Sequence, residues 1–224
     1  EILRESSGEP RLILHGAARR VLVLGGGDGL ALREILKYPQ VESVTLVDLD
    51  PAMTQLFSSA APLRKLNEDA LHSPKVKVIN ADALKWLEEN EDLFDFVVVD
   101  FPDPSNFAIG KLYSAAFYRL LEKHLTAGAL AVIQSTSPLY ARQSFWCVVS
   151  TLESVGFITT PYHALVPSFG EWGFVLAGRR AYQPPATYAV ATRFLTPEAT
   201  PALFQFPKDM ARVDAEVNRL NNQV

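Results

Sequence analysis

The chain is short of the features that would make several functions easy to assign. It holds one cysteine in 224 residues, Cys147, so an internal disulfide is excluded. That residue sits in the apolar run F-W-C-V-V and reads as a core position of a protein from a reducing, intracellular compartment. No apolar run approaches the roughly 18 residues that a membrane crossing needs, and no signal peptide is visible. The formal net charge of -4 gives no support to a broad nucleic-acid surface, and a cationic ligand suits an acidic chain better. The histidines His15, His72, His124 and His163 are scattered without metal-ligand spacing, and they read as surface or structural residues. Repeats and low-complexity tracts are absent. The first residue is Glu1 rather than Met, which reads as a piece of something longer.

What is present is an alternation of short apolar runs with helical patterns. Val21–Leu24, Val44–Val47, Val76–Ile79, Phe94–Val99 and Leu130–Ile133 read as strands. The helices between them carry Leu32, Ile35 and Leu36; then Leu84, Trp86 and Leu87. Further helices are expected at Tyr113–His124 and Ala141–Val155, with Phe117, Phe145 and Trp146 on core-facing stripes. Asp50 before Pro51, and Asp82, are expected helix caps. Strands near Phe157–Thr160 and Gly173–Ala177 are expected to pair as a hairpin. Continuous apolar strands alternating with amphipathic helices predict an α/β fold whose mostly parallel sheet is covered on both faces. Beyond Gly178 the chain is punctuated by prolines, and Asp209–Leu220 is expected to be a terminal helix. The expected organisation is residues 1–16 as the remnant of an N-terminal hairpin region, 17–178 as the catalytic domain and 179–224 as a C-terminal appendage.

In such sheets ligands bind at the carboxyl ends of the strands. Asp48, Asp50, Asp82, Asp100 and Asp103 all fall there, beside the loop G-G-G-D-G-L that follows the first strand. The dinucleotide pattern G-x-G-x-x-G fails, because its third glycine would fall at Leu30. What survives is G-x-G-x-G (Gly25, Gly27, Gly29), common where S-adenosylmethionine-type ligands pack against bare backbone; together with Asp48 and Asp82 it favours an adenosyl-sulfonium ligand over NAD. Asp48 is placed for ribose hydroxyls and Asp82 for an adenine amino group. Asp28 has two readings. It caps the helix beginning near Gly29, or it selects decarboxylated S-adenosylmethionine, whose tail ends in an ammonium, over the parent compound, whose carboxylate it would repel.

The fourth strand ends in V-V-V-D-F-P-D-P-S-N, with Asp100 and Asp103 in a turn stiffened by Pro102 and Pro104. An alkylamine nucleophile has a pKa of about 10.4, so exposing its lone pair at neutral pH costs roughly 4 to 5 kcal/mol. One carboxylate can hold the ammonium while the other takes its proton. Asp100, directly on the strand end, is the better base, and Asp103 the better holder. The alternative is a carboxylate pair in a surface turn.

Together G-G-G-D-G, V-D-L-D, N-A-D-A and D-x-x-D-P, with the late G-E-W-G-F at Gly170–Phe174, resemble the polyamine aminopropyltransferases, the spermidine synthases and their relatives. The resemblance runs from about Arg20 to Ala177. It implies a Rossmann-like, methyltransferase-type domain that uses decarboxylated S-adenosylmethionine as co-substrate and no metal. Gly25, Gly27 and Gly29 would lie against that molecule, with Asp28 on its ammonium, Asp48 on the ribose, and Asp82 with Ala83 on the adenine. Asp100 would be the catalytic base, Asp103 the acceptor for the amine, and Glu171 and Trp172 would line the amine pocket. A polyamine substrate, putrescine first, and a homodimer are the matching expectations; the expected location is cytoplasmic, or membrane-tethered if the chain is a fragment of a longer one with a membrane domain.

Two departures stand out. Nothing like the family's Y-H-E segment lies between Leu12–Gly16 and the glycine strand, and V-P-S-F-G-E-W-G-F lacks the tyrosine that soluble members carry before this motif. S-P-L-Y-A-R-Q-S-F-W-C looks more like the bacterial branch that carries an N-terminal membrane domain. Competing readings are an S-adenosylmethionine-dependent methyltransferase and a non-catalytic adenosyl-binding module. Against the first, Val23 stands where many methyltransferases place an acidic residue, and D-F-P-D lacks the aromatic of a D-P-P-Y motif.

Overall fold

The computed structural model describes residues 18–222, apart from residues 105, 168 and 193. The expected hairpin remnant at 1–16 lies outside the described residues. Seven strands form one sheet: β1 (Arg20–Gly25), β2 (Ser43–Asp48), β3 (Val76–Asn80), β4 (Phe94–Asp100), β5 (Leu125–Gln134), β6 (Ile158–Val166) and β7 (Gly170–Gly178). Their order is β3-β2-β1-β4-β5-β7-β6. The first five are parallel, and β7 runs antiparallel between β5 and β6. This is the Rossmann-like, methyltransferase-type sheet with a terminal antiparallel hairpin that the alternating pattern predicts. Every expected strand except the sixth, which begins at Ile158 rather than Phe157, lies inside an observed one, and all run longer than expected, the last three most of all.

The apolar runs are continuous because both faces of the sheet are covered. Val21 and Val23 point to one face and Leu22 and Leu24 to the other, and all four are fully buried. The first face is covered by α1 (Leu30–Leu36) and by 3-10 turns at Ala70–His72 and Thr200–Phe204. The second is covered by α4 (Ala83–Glu89), α6 (Ala115–Lys123) and α7 (Arg142–Ser154). Two short helices, α2 (Pro51–Ser59) and α3 (Ala61–Leu66), connect β2 to the turn at Ala70–His72, and α5 (Phe107–Gly110) follows β4. Asp50 caps α2 through Ala52 N at 2.8 Å, and Asp82 caps α4 through Lys85 N at 3.2 Å, as their positions predict. The helix expected from Tyr113 instead begins at Ala115, because Ser114 is its cap and accepts from Phe117 N.

The terminal helix expected over Asp209–Leu220 does not form. Those residues make irregular chain across α7, and the reason is competition for their backbone groups. Trp146 Nε1 donates to Met210 O, Arg142 Nε to Ala211 O and Gln143 Nε2 to Asp214 O. Asn218 N donates to Thr151 Oγ1 at 2.9 Å, and Asn218 O accepts from Ala115 N. Tyr182 and Leu195 pack on the α1 face and Phe206, Val213 and Ala215 on the α7 face, so the tail crosses from one side of the sheet to the other.

Thr151 is fully buried and ties the tail to α7, since its hydroxyl also donates to Cys147 O at 2.7 Å. Thr151→Val leaves the Asn218 amide without its acceptor, and the expected loss is about 1–3 kcal/mol of stability. Hydrogen exchange of the Asn218 amide, faster in the variant than elsewhere in the tail, checks the assignment.

Candidate active site

The strand order reverses between β1 and β4, and the loops that leave these two strands face each other across that point. In the register Gly25 lies opposite Asp100. The approach is close: a Cβ on Gly25, whose φ is +80°, would meet Asp100 O at 2.2 Å. One residue on, a Cβ at Gly26 would stand 3.2 Å from Asp100 Oδ2. The glycine loop therefore lies against the carboxylate of the acidic loop.

The remaining glycines are bare for equally local reasons. Asp48 Oδ2 accepts from Gly27 N at 2.9 Å and its Oδ1 accepts from Asp50 N at 2.8 Å. A Cβ at Gly27 would sit 2.8 Å from Asp48 Cγ, and one at Gly29 would sit 3.0 Å from Asn67 Nδ2. The Asp48 carboxylate thus clamps the glycine loop to the end of β2. Asn67, fully buried, donates to Asp28 O at 3.0 Å and to Phe57 O, bracing the loop from behind. No sequence signal pointed to Asn67, which lies 39 residues from its partner. The cap position of α1 is Gly29 rather than Asp28, and Asp28 stands one residue earlier, where its Oδ1 accepts from Leu30 N at 2.9 Å and leaves its other oxygen outside that bond.

Asp82 and Ala83 sit where β3 passes into α4, with Ala83 buried. Lys111 Nζ lies 3.7 Å from Asp82 Oδ2, linking this corner to the segment after the acidic loop.

Asp103 is held on both oxygens. Gln134 Nε2 donates to Oδ1 at 3.2 Å, and Thr136 Oγ1 donates to Oδ2 at 2.9 Å. The Tyr113 hydroxyl lies 3.2 Å from Gln134 Oε1, an arrangement that leaves the Gln134 amide nitrogen facing the carboxylate. Burial, then the charges of Asp103 and Asp100, push the Tyr113 phenol well above its ordinary pKa, so it stays a donor. Gln134 ends a strand at the expected rim, whereas Tyr113 and Thr136 carried no sequence signal.

Glu171 and Trp172 open β7 and point to opposite faces. Trp172 packs on the α1 face with Phe96 and Val98, the face to which alternation along β4 assigns Asp100. Glu171 lies on the other face, where its carboxylate meets His163 Nδ1 at 2.9 Å, and His163 Nε2 meets Gln205 O at 2.8 Å. His124 bridges the carbonyls of Asp92 and Leu87, and His72 pairs with Asp69. Among the described residues no three His, Cys, Asp or Glu side chains converge as a metal ligand set, and no helix is long and apolar enough to cross a membrane.

The fold defines a Rossmann-like domain of the methyltransferase type. Residues 9–184 match the spermine/spermidine synthase domain, and the chain belongs to that family. It is 63% identical over 208 residues to polyamine aminopropyltransferase 2 of Ralstonia nicotianae, which covers 92% of this chain and 41% of that protein. It is 54% identical over 219 residues to polyamine aminopropyltransferase of Leptospira interrogans, covering 98% of this chain and 44% of that protein. The chain thus spans less than half the length of these relatives. A crystal structure of spermidine synthase in complex with the transition-state analogue AdoDATO superposes with a TM-score of 0.77 at 23% identity, covering 94% of this chain and 74% of that one.

The Gly25–Asp100 approach admits no side chain. Gly25→Ala adds a clash with backbone to a left-handed φ, and the strain alone is expected to cost about 1–3 kcal/mol. Chemical denaturation, with Gly128→Ala as the control at an open glycine, measures it.

Proposed function

We propose that this chain is the catalytic domain of an aminopropyltransferase that moves the aminopropyl group of decarboxylated S-adenosylmethionine to putrescine, giving spermidine and methylthioadenosine. One observation carries the reading most directly: the glycine loop after β1 lies against Asp100, at the reversal point of the sheet. Membership of the family and its aminopropyltransferase relatives support the same conclusion.

In this reading Gly25, Gly27 and Gly29 back the nucleoside, Asp48 takes the ribose hydroxyls, and Asp82 with Ala83 takes the adenine. Asp28 uses one oxygen on Leu30 N and offers the other to the aminopropyl ammonium. Asp103 receives the distal part of the amine substrate. Asp100 accepts a proton from the attacking nitrogen. The nitrogen lone pair forms the new N–C bond at the carbon next to the sulfonium as the C–S bond breaks. Its electron pair stays on sulfur, giving a neutral thioether. Removing the proton answers the roughly 4 to 5 kcal/mol needed to expose an alkylamine lone pair at neutral pH. The remaining acceleration comes from alignment of the two reacting atoms. Trp172, on the Asp100 side of the sheet, lines the amine pocket, whereas Glu171, expected from the resemblance to line it too, turns to the other face and supports the rim through His163 instead. The reading extends to a homodimeric assembly and to a cytoplasmic location, with a membrane tether as the alternative for a chain that is part of a longer protein.

Methylthioadenosine release from decarboxylated S-adenosylmethionine and putrescine is the direct assay. Asp100→Asn is expected to lower kcat by about 10²- to 10⁴-fold, and undiminished release would sink the proposed mechanism. Formation of S-adenosylhomocysteine from ordinary S-adenosylmethionine would point instead to methyl transfer. Asp28→Asn keeps an oxygen for Leu30 N and removes the charge. The dissociation constant for the decarboxylated cofactor, read by calorimetry, is expected to rise about 10- to 100-fold.

A further inference from the structure

Thr136 holds a conformation that threonine rarely adopts. Its φ is +59°, in the left-handed region, and its side chain is almost fully buried. A β-branched residue stays there only when its surroundings compel it, and glycine makes the same turn without steric cost.

The compulsion comes from β7. Thr136 O accepts from Gly173 N at 2.7 Å, and Ser135 N donates to Gly173 O at 3.0 Å, extending the β5–β7 pairing past the end of β5. Gly173 allows this approach because it has no side chain: a Cβ there would lie 2.8 Å from Thr136 O and 2.4 Å from the Phe145 ring. The hydroxyl that threonine brings to this turn is used on Asp103 Oδ2, at 2.9 Å. Gln134, two residues earlier, holds the other oxygen, and Tyr113 stands behind Gln134. The acidic loop after β4 has thus been tied to the end of β5, and through it to β7, the strand that carries Glu171 and Trp172.

We propose that Thr136 is a positioning residue for the amine substrate. Its left-handed backbone aims the hydroxyl at Asp103 and sets the plane in which that carboxylate meets the ammonium. This rests on the proposed role of Asp103 in aminopropyl transfer. Two donors on fixed elements leave the carboxylate little freedom to rotate, and the lone pairs they do not use are left facing one direction.

Two variants separate positioning from mere architecture. Thr136→Gly relieves the backbone strain and removes the hydroxyl, while Thr136→Ser keeps the hydroxyl. Positioning requires Thr136→Gly to unfold at no lower temperature than Thr136→Ser while its KM for putrescine rises roughly ten-fold or more. Its KM for decarboxylated S-adenosylmethionine stays within about two-fold of the starting protein, since positioning acts on the amine alone. Thr136→Ser stays close to the starting protein on all counts. A Thr136→Gly protein with unchanged KM for putrescine overturns the proposal, as does an equal rise in both KM values.

The Asp103 carboxyl carbon resonance, assigned with Asp103→Asn, needs no turnover. It is expected to move in Thr136→Gly and to stay in Thr136→Ser. That pattern in a protein that releases no methylthioadenosine overturns the aminopropyl reading, and with it the amine as the group being positioned. An unmoved resonance in an active protein overturns the role of Thr136 alone.

Discussion

The structure depends above all on the contact between Gly25 and the backbone of Asp100. A parallel sheet brings neighbouring strands to about 4.8 Å, but here the chain also turns out of β1 at a positive φ directly over the carbonyl of its neighbour. Any Cβ would separate the two strand ends. The glycine loop would then lose its seat, and the carboxylate of Asp100 would no longer lie beside it. Both halves of the proposed site, the cradle for the nucleoside and the base for the amine, follow from this single approach.

Around that contact the rim carboxylates divide into different tasks, and hydrogen bonding separates them. Asp48 holds the glycine loop through Gly27 N and is itself held by Asp50 N, so both of its oxygens are organised by backbone amides. Asp50 and Asp82 cap helices. Asp103 is held from two sides by Gln134 and Thr136. A cap or a clamp is often taken as an alternative to a binding role, yet a carboxylate has about four acceptor sites, and a bond to one leaves others for a ligand. Asp28 illustrates this, with one oxygen on Leu30 N and a second that the amide does not use. Several such groups on one rim also give the mouth of the site a negative field, which suits the cationic sulfonium and amine of the proposed reaction better than anionic competitors.

Much of the fold was legible because strand signals are local. Val21–Leu24 and Phe96–Val99 are buried on both faces, so they read as unbroken apolar runs, and their spacing against intervening helices predicts the parallel order. The caps at Asp50 and Asp82 were legible for the same reason, since a cap bonds within its own first turn. The terminal segment was misread because D-M-A-R-V-D-A-E-V has helical composition, whereas its carbonyls and amides are claimed by Trp146, Arg142, Gln143 and Thr151 from another element. Propensity is a weak prior against such tertiary partners.

The sequence by itself determined the chemistry on offer: the glycine loop, the acidic residues at strand ends and the order in which they come. Each of these is written in adjacent residues whose spacing alone sets local geometry. Only the tertiary structure decided how those groups are oriented. Asn67 braces Asp28 from 39 residues away, and Thr136 reaches Asp103 across 33. Alternation along β7 turned Trp172 toward one face and Glu171 toward the other. Such pairings arise from the packing of distant elements, and no periodicity along the chain encodes which polar groups will meet when the sheet closes.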